Sequence, residues 1–348
     1  MQTTAEAPVR DGADRVRPLG IPIGTGVLVL LVMSALSLMV GATSTASPGE
    51  VVRALTGHAD PQLTAAVQSL RLPRTVLALL IGAGLAVAGA LIQGVTRNPI
   101  VEPSIIGVNS GAALAVALVT YTAGAASLRL GGINLMPFVA FAGASAAAAL
   151  VFVIVAGVDM TPGRVALAGV TVALLANALV MSVVVLNDNA VQFLLRYLVG
   201  GVDGASWTSV RTLLPYSVIG LGCAFLLAKS VTVLSLGDDV ARGLGLPVER
   251  VRLQSLALVV VLAGVAVAVA GPIAMVGLLV PHMARWSVGT SYLRVFGFSI
   301  VYGGVLLVGA DVVSRVVVPT TEIPVGVLTA VLGTPYFIYL ARRGRGVV

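Results

Sequence analysis

Two histidines, one cysteine and fourteen carboxylates are all that this 348-residue chain offers for acid–base or metal chemistry. His58 and His282 are far apart, and neither has a second His, Cys, Asp or Glu at ligand spacing, so no metal site is expected. There is no HExxH run and no pairing of Ser with His or of Asp with Asp inside an apolar stretch, so no hydrolytic centre is visible. A GxxxxGK[ST] phosphate loop is also missing, so any ATP-driven work has to draw on another chain. Neither catalytic residues nor a cofactor are expected in this one. Asp159, Asp188, Asp203, Asp311 and Glu322 are read at the ends of apolar stretches or between them. Ion-coupled carriers usually hold an ionisable relay inside the bilayer, so this placement weighs against proton coupling. Backbone carbonyls can still coordinate Na⁺.

The remaining chemistry is positive charge and one polar connection. Arg71 and Arg74 stand at the head of an apolar run, and Arg315 near the end of another, four residues after Asp311. A guanidinium at such a place can anchor a helix end by snorkelling, or pair with a carboxylate at i,i+4, or offer a bidentate contact to an acidic partner. Arg97-Asn98-Pro99 follows a span, where the proline favours a turn. It reads as a helix stop, with bordering an inner gate as the functional alternative. The connection Ser235–Arg250 is the longest hydrophilic stretch between apolar ones. Ser235 with Asp238 looks like a capping box, and Asp238 and Asp239 suit a helix N-terminus. Gly243 and Gly245 can end that short helix, and Pro247 can open the next. Val240, Leu244 and Leu246 supply apolar contacts in what is either an ordinary loop or a bent knob that docks on a partner.

These groups must be held by membrane-spanning helices. Hydrophobic residues make up 58% of the chain, charged ones only 10%, and the mean hydropathy is +1.04. Soluble domains carry about 25% charged residues, so a water-covered globule is excluded. The lone Cys223 excludes a disulfide framework. After a polar 1–20 tail, ten apolar stretches follow at about 21–41, 75–95, 103–121, 136–157, 165–186, 213–233, 253–271, 272–283, 295–313 and 324–340. The first is too long for a signal-peptide core and is read as a retained helix. With the N-terminus inside, fourteen of the 21 basic residues fall in cytoplasmic connections and tails and seven outside, as the positive-inside tendency requires. The stretches opening at Pro103 and Pro272 are short or interrupted by Gly and Pro. They read either as kinked helices or as a repeated pair flanking a path. Gly82-Ala-Gly84, Gly143-Ala-Ser-Ala and Gly264-Val-Ala are read as close helix packing.

Arg71-Leu-Pro-Arg-Thr75, Gly89-Ala-Leu-Ile-Gln-Gly94, Arg97-Asn-Pro99 and Glu102-Pro-Ser-Ile-Ile-Gly107 closely resemble the FecCD-type permeases of iron–siderophore and vitamin B12 importers. The 236–252 connection, Gly271-Pro-Ile through Pro281-His-Met-Ala-Arg285, Ala310-Asp-Val-Val-Ser-Arg315, Glu322-Ile-Pro-Val-Gly326 and Gly333-Thr-Pro335 extend the likeness from about Leu70 to Arg343. The resemblance implies an all-α, ten-helix subunit of the type II ABC importer class in a prokaryotic inner (plasma) membrane. Its permease domain would span 21–343, with a coupling loop at about 235–252 and both tails, 1–20 and 344–348, cytoplasmic. The family pairs such a subunit with a second copy or a homologue, two ABC ATPases that bind the ATP, and an extracytoplasmic substrate-binding protein; no nucleic acid is involved. By resemblance, Asp238, Asp239, Val240, Arg242, Gly243, Leu244, Gly245, Leu246, Pro247 and Glu249 form the ATPase-coupling element. Arg71, Arg74 and Arg315 match arginines that meet the binding protein's carboxylates. The expected cargo is a ferric siderophore, with cobalamin or haem as alternatives. An ion-coupled secondary transporter is the alternative of another class.

Overall fold

The computed structural model describes residues 20–41, 45–123, 129–130, 133–155, 162–186, 188–317 and 322–343. The tails at 1–19 and 344–348 lie outside these, as does Asp159. Each of the ten apolar stretches contains a helix. Seven helices among the described residues are long and apolar enough to cross a membrane. They include α1 (Gly20–Met39), α4 (Leu72–Thr96), α6 (Met136–Val155), α7 (Pro162–Leu186), α9 (Trp207–Ser235), α11 (Val248–Ala270) and α13 (Tyr292–Val316). Three are shorter: α5 (Val108–Ala123), α12 (Val276–Val288) and α14 (Val325–Arg343). At 1.5 Å per residue, α12 reaches only about 20 Å, less than the hydrocarbon thickness.

Four short helices were not anticipated as separate elements, or only in part. α2 (Pro48–Leu55) and α3 (Pro61–Ala65) follow α1, and a π-helical turn (Ala66–Arg71) joins α3 to α4. α8 (Asp188–Val199) follows α7, and α10 (Asp238–Gly243) lies between α9 and α11. Two strands of two residues each, β1 (Arg129–Leu130) and β2 (Ile133–Asn134), pair antiparallel, a small departure from an all-helical chain.

The core sits around α4, which is buried along nearly its whole length and packs against α9, α11, α12 and α13. Helices in lipid gain little from apolar burial, so they associate through close van der Waals contact at small residues. Gly82 of α4 abuts the backbone of Gly303 in α13, Gly89 of α4 abuts Gly277 in α12, and Gly111 of α5 abuts Gly143 in α6. A Cβ on Gly264 would lie 3.2 Å from the Phe141 ring. The small-residue runs are therefore packing surfaces.

The two interrupted stretches meet each other. After α4 the chain turns through Arg97–Val101 into a 3₁₀ turn (Pro103–Ile106) before α5; after α11 it runs extended through Pro272–Ala274 before α12. A Cβ on Gly277 would lie 2.8 Å from Pro103 Cδ, so the breaks lie side by side, level with the Leu85–Gln93 part of α4. Met275, at the N-cap of α12, takes the left-handed conformation (φ 72°) that non-glycine residues rarely adopt.

Candidate functional site

Chemistry concentrates at the two ends of the bundle. At one end stands α10. Its N-cap is Gly237 (φ 123°), and no side chain caps it. The expected Ser235–Asp238 capping box is thus corrected: Ser235 is the last residue of α9, and its hydroxyl donates to the Thr232 carbonyl at 2.7 Å. Asp238 is instead the anchor. Arg252 Nη2 donates to both its oxygens at 3.0 and 3.1 Å, and Arg97 Nη2 lies 3.3 Å away. Burial pushes the Asp238 carboxyl up, but the hydrogen bonds and charge of Arg252, then the charges of Arg97 and Arg242, outweigh it and hold it below the ordinary carboxylate value.

Around that anchor the loop behaves much as its residues suggest. α10 ends at Gly243, Gly245 has φ 78°, and Pro247 precedes the first residue of α11. Arg242 pairs with Glu249 at 3.3 Å and approaches Asp239 at 3.9 Å; Arg252 also reaches Glu249 at 3.4 Å. Ala241 is buried, whereas Leu236, Val240 and Leu244 are exposed and Leu246 is half-buried. The result is a short helix with a charged, fixed base and an apolar, exposed tip.

Arg97, Asn98 and Pro99 lie at the same end. Arg97 closes α4 in the left-handed conformation (φ 50°), and Asn98 Oδ1 accepts from the Ile100 N–H at 3.1 Å. These three residues line a cavity of about 460 Å³ shared with α12 and the start of α13.

The opposite end holds Arg71, Arg74 and Arg315, whose guanidinium groups turn inward to partners within the chain. Arg71, Arg74 and Arg315 are 6%, 9% and 5% exposed. Arg74 donates to Asp311 Oδ1 at 2.8 Å and to Glu322 Oε2 at 2.8 Å. Arg315 pairs with Asp311 four residues back, as the spacing allows, and also donates to the carbonyls of Ser37 and Val40. Arg71 donates to the carbonyls of Leu38 and Met39, both at 2.9 Å. The last carbonyls of a helix lack intrahelical partners and favour cations, and here two arginines supply them for α1. That need, with the fully buried Asp311, draws the guanidinium groups inward. Among the residues whose exposure is described, Arg53, Arg196 and Arg211 are exposed basic residues on the segments at this end.

One carboxylate was overlooked. Glu102 was read inside a motif, yet its Oε1 accepts from the Met275 N–H at 2.6 Å, at the start of α12. Ser104 Oγ approaches its other oxygen at 3.4 Å. Glu102 and Asp311 thus place two carboxylates within the helical bundle. An acid before Pro-Ser signals a helix start, but Glu102 serves another helix's start, 173 residues on. Among the described residues no three His, Cys, Asp or Glu side chains come together as a metal site.

The profile of the FecCD transport family matches residues 29–343. The chain belongs to the FecCD transport family. As a member it is a transport subunit, a multi-pass protein of the inner (plasma) membrane. It is 44% identical over 279 residues to the Fe(3+)-citrate import system permease protein YfmD of Bacillus subtilis, covering 80% of this chain and 82% of that one. It is 38% identical over 323 residues to the Fe(3+) dicitrate transport system permease protein FecC of Escherichia coli, covering 92% and 96%. Its fold superposes on an inward-facing metal-chelate-type ABC transporter with a TM-score of 0.81 at 27% identity, covering 92% of this chain and 98% of that one.

Proposed function

We propose that this FecCD-family chain is the membrane-spanning permease of an ATP-driven importer that carries ferric siderophores or related ferric chelates into the cytoplasm. The observation that carries this reading is α10: an apolar tip of Leu236, Val240 and Leu244 on a base fixed by Asp238, Arg97 and Arg252. Exposed apolar side chains on a base tied by ion pairs suit insertion into a groove on a partner, and an ABC ATPase is the partner that would supply ATP. Force applied at α10 reaches α4 through Arg97 and α11 through Arg252, the helices at the centre of the bundle. Two ATPases and a second permease, identical or homologous, complete the assembly.

The end carrying Arg71, Arg74 and Arg315 is the face we assign to an extracytoplasmic binding protein. The buried arginines support docking by holding that face in shape, while the exposed Arg53, Arg196 and Arg211 offer charge to acidic groups. The inner-gate role of Arg97, Asn98 and Pro99 is proposed on their place beside α10.

The ferric cargo is supported by relatives whose names specify Fe(3+)-citrate and Fe(3+) dicitrate import. Cobalamin and haem are the alternatives within the class. The buried Glu102 and Asp311 favour a second reading, ion-coupled transport, because bundle carboxylates can relay protons. Both are held by partners in this chain, which favours structure over relay.

The test measures uptake of labelled ferric siderophore, ferric citrate, haem and cobalamin in a deletion strain with and without the restored gene, and with Gly243 and Gly245 both replaced by Ala. We expect gene-dependent uptake of a ferric chelate that the double substitution abolishes while membrane abundance is unchanged. Uptake that persists in the variant, or that needs no co-purifying ATPase, overturns the ATP-coupled reading.

A further inference from the structure

Among the described residues, three polar links tie the start of α14 to its neighbours at the arginine end. Arg74 Nη1 donates to Glu322 Oε2 at 2.8 Å, just before the helix begins at Val325. The Ile323 N–H reaches the Ser314 carbonyl at 3.4 Å, and the Gly326 N–H reaches the Gly200 carbonyl at 3.2 Å. Those two are long for N–H···O bonds, so the ion pair is the strongest of the three. It is also a pair that can open. The Glu322 side chain is 28% exposed, so water can solvate the carboxylate when it leaves. Arg74 keeps a counter-charge without it, because its Nε and Nη2 both lie 2.8 Å from Oδ1 of the fully buried Asp311.

Beyond the pair, α14 has a seat, room and a place to bend. Gly326 seats the first turn against the carbonyls of Val199 and Pro272, an approach that a Cβ would block. Gly326, Ala330 and Thr334 line a groove of about 700 Å³ shared with Leu198 and Val199 of α8 and with Pro272. Val327, Val331 and Leu332 are exposed. Pro335 lies inside the helix and has no N–H for the Val331 carbonyl, and in the same turn the Thr334 hydroxyl bonds back to the Ala330 carbonyl at 2.7 Å. Gly333, two residues before the proline, abuts the Met275 side chain at the start of α12.

We propose that residues 325–334 of α14 form a hinged arm, latched by Glu322 on Arg74, resting on Met275 at Gly333 and bending at Pro335. In the latched state the ion pair and the Gly326 seat hold the arm against the end of α8. Release of Glu322 lets the arm tilt and changes the width of the groove between α8 and α14. The core does not follow, because α4 and α13 meet backbone to backbone at Gly82 and Gly303. A helix segment that moves about a fixed core is a hinge device of the kind that opens one end of a path, whatever the cargo.

Double electron–electron resonance on the full chain in phosphatidylcholine nanodiscs reads the arm directly. With Cys223→Ser as background, one nitroxide is placed on Leu214→Cys in α9 and the other on Val327→Cys in the arm, both at exposed positions. A second pair combines Leu214→Cys with Ile338→Cys, beyond the bend and also exposed. The 214–327 pair should give a narrow distance distribution with the latch intact. Glu322→Gln should raise a displaced population at least about tenfold, as loss of a charge-assisted hydrogen bond requires, and leave the 214–338 pair unchanged. Asp203 lines the small cavity beside Arg74 and Glu322, and Asp203→Asn, the control, should leave both distributions as they are. Glu322→Asp, which keeps the charge but withdraws it by one methylene, is the second variant should Glu322→Gln fail to fold, and it too should populate the displaced state. A 214–327 distribution already broad with the latch intact, no change in these variants, an equal change at 338, or the same change with Asp203→Asn overturns the latch.

Discussion

The Glu102 carboxylate accepts the Met275 N–H at 2.6 Å, so the break that follows α4 closes the open start of α12. Two segments that are too short or too irregular to span alone are thereby made into one unit. Gln93 strengthens it by donating to Val101 on one side and Gly277 on the other.

Replacing Glu102 by Gln keeps an acceptor for the Met275 N–H, whereas Ala leaves that donor without one. Glu102→Ala is expected to destabilise the purified protein by about 1–3 kcal/mol more than Glu102→Gln. Thermal unfolding in detergent measures this, and equal melting temperatures would show that the contact carries no stability.

Asp311 sits between Arg74 and Arg315 with no exposure at all. Asp311→Asn leaves two buried guanidinium groups short of a counter-charge, and a loss of about 3–5 kcal/mol is expected. Membrane abundance and melting temperature should both fall. By contrast Arg53→Glu and Arg211→Glu, on exposed residues, should leave folding intact and reduce affinity for the binding protein, measured by surface plasmon resonance on the nanodisc-held complex.

Asp238 has its folded pKa held below the unfolded value, so its contribution to stability is complete above about pH 3.9 and is lost as pH falls through the lower folded value. The base of α10 should therefore stay intact at mildly acidic pH. Carboxyl ¹³C resonances of labelled aspartate, with the Asp238 signal assigned by its loss in Asp238→Asn, should show a midpoint below 3.9. A midpoint at or above that value contradicts the Arg252 and Arg97 anchoring.

The glycine crossings predict a sharp contrast. Gly89→Val places a side chain against the Gly277 backbone in the centre of the bundle, where nothing can yield, and overpacking there costs about 1–3 kcal/mol or more. Gly243→Val meets open space. The first should lower the melting temperature and the second should not.

The ten helices were legible because each carries an apolar run, broken only near Pro103 and Pro272, and that signal needs no tertiary information. The turn chemistry around α10 was legible for the same local reason, through Gly243, Gly245 and Pro247. α2 could have been found, since Ser47 and Glu50 form a true capping box, with Pro48 at the first helical position. The similar pattern at Ser235 misled, because Ser235 is still the last residue of α9 and the N-cap of α10 is Gly237, which has no side chain to cap with. The arginine network was legible only at Arg315 and Asp311, four residues apart. Arg74 meets Asp311 across 237 residues and Arg71 meets the end of α1, and no local pattern encodes such partners.

The carbonyl ends of α1 depend on Arg315, a residue made some 278 positions later. As the chain is synthesised, the first helix enters the membrane with its end served by interfacial water alone. Arg71 follows soon, but the second guanidinium becomes available only when α13 has been inserted. The first span is thus secured late, and a chain truncated before α13 would hold its N-terminal helix by Arg71 alone.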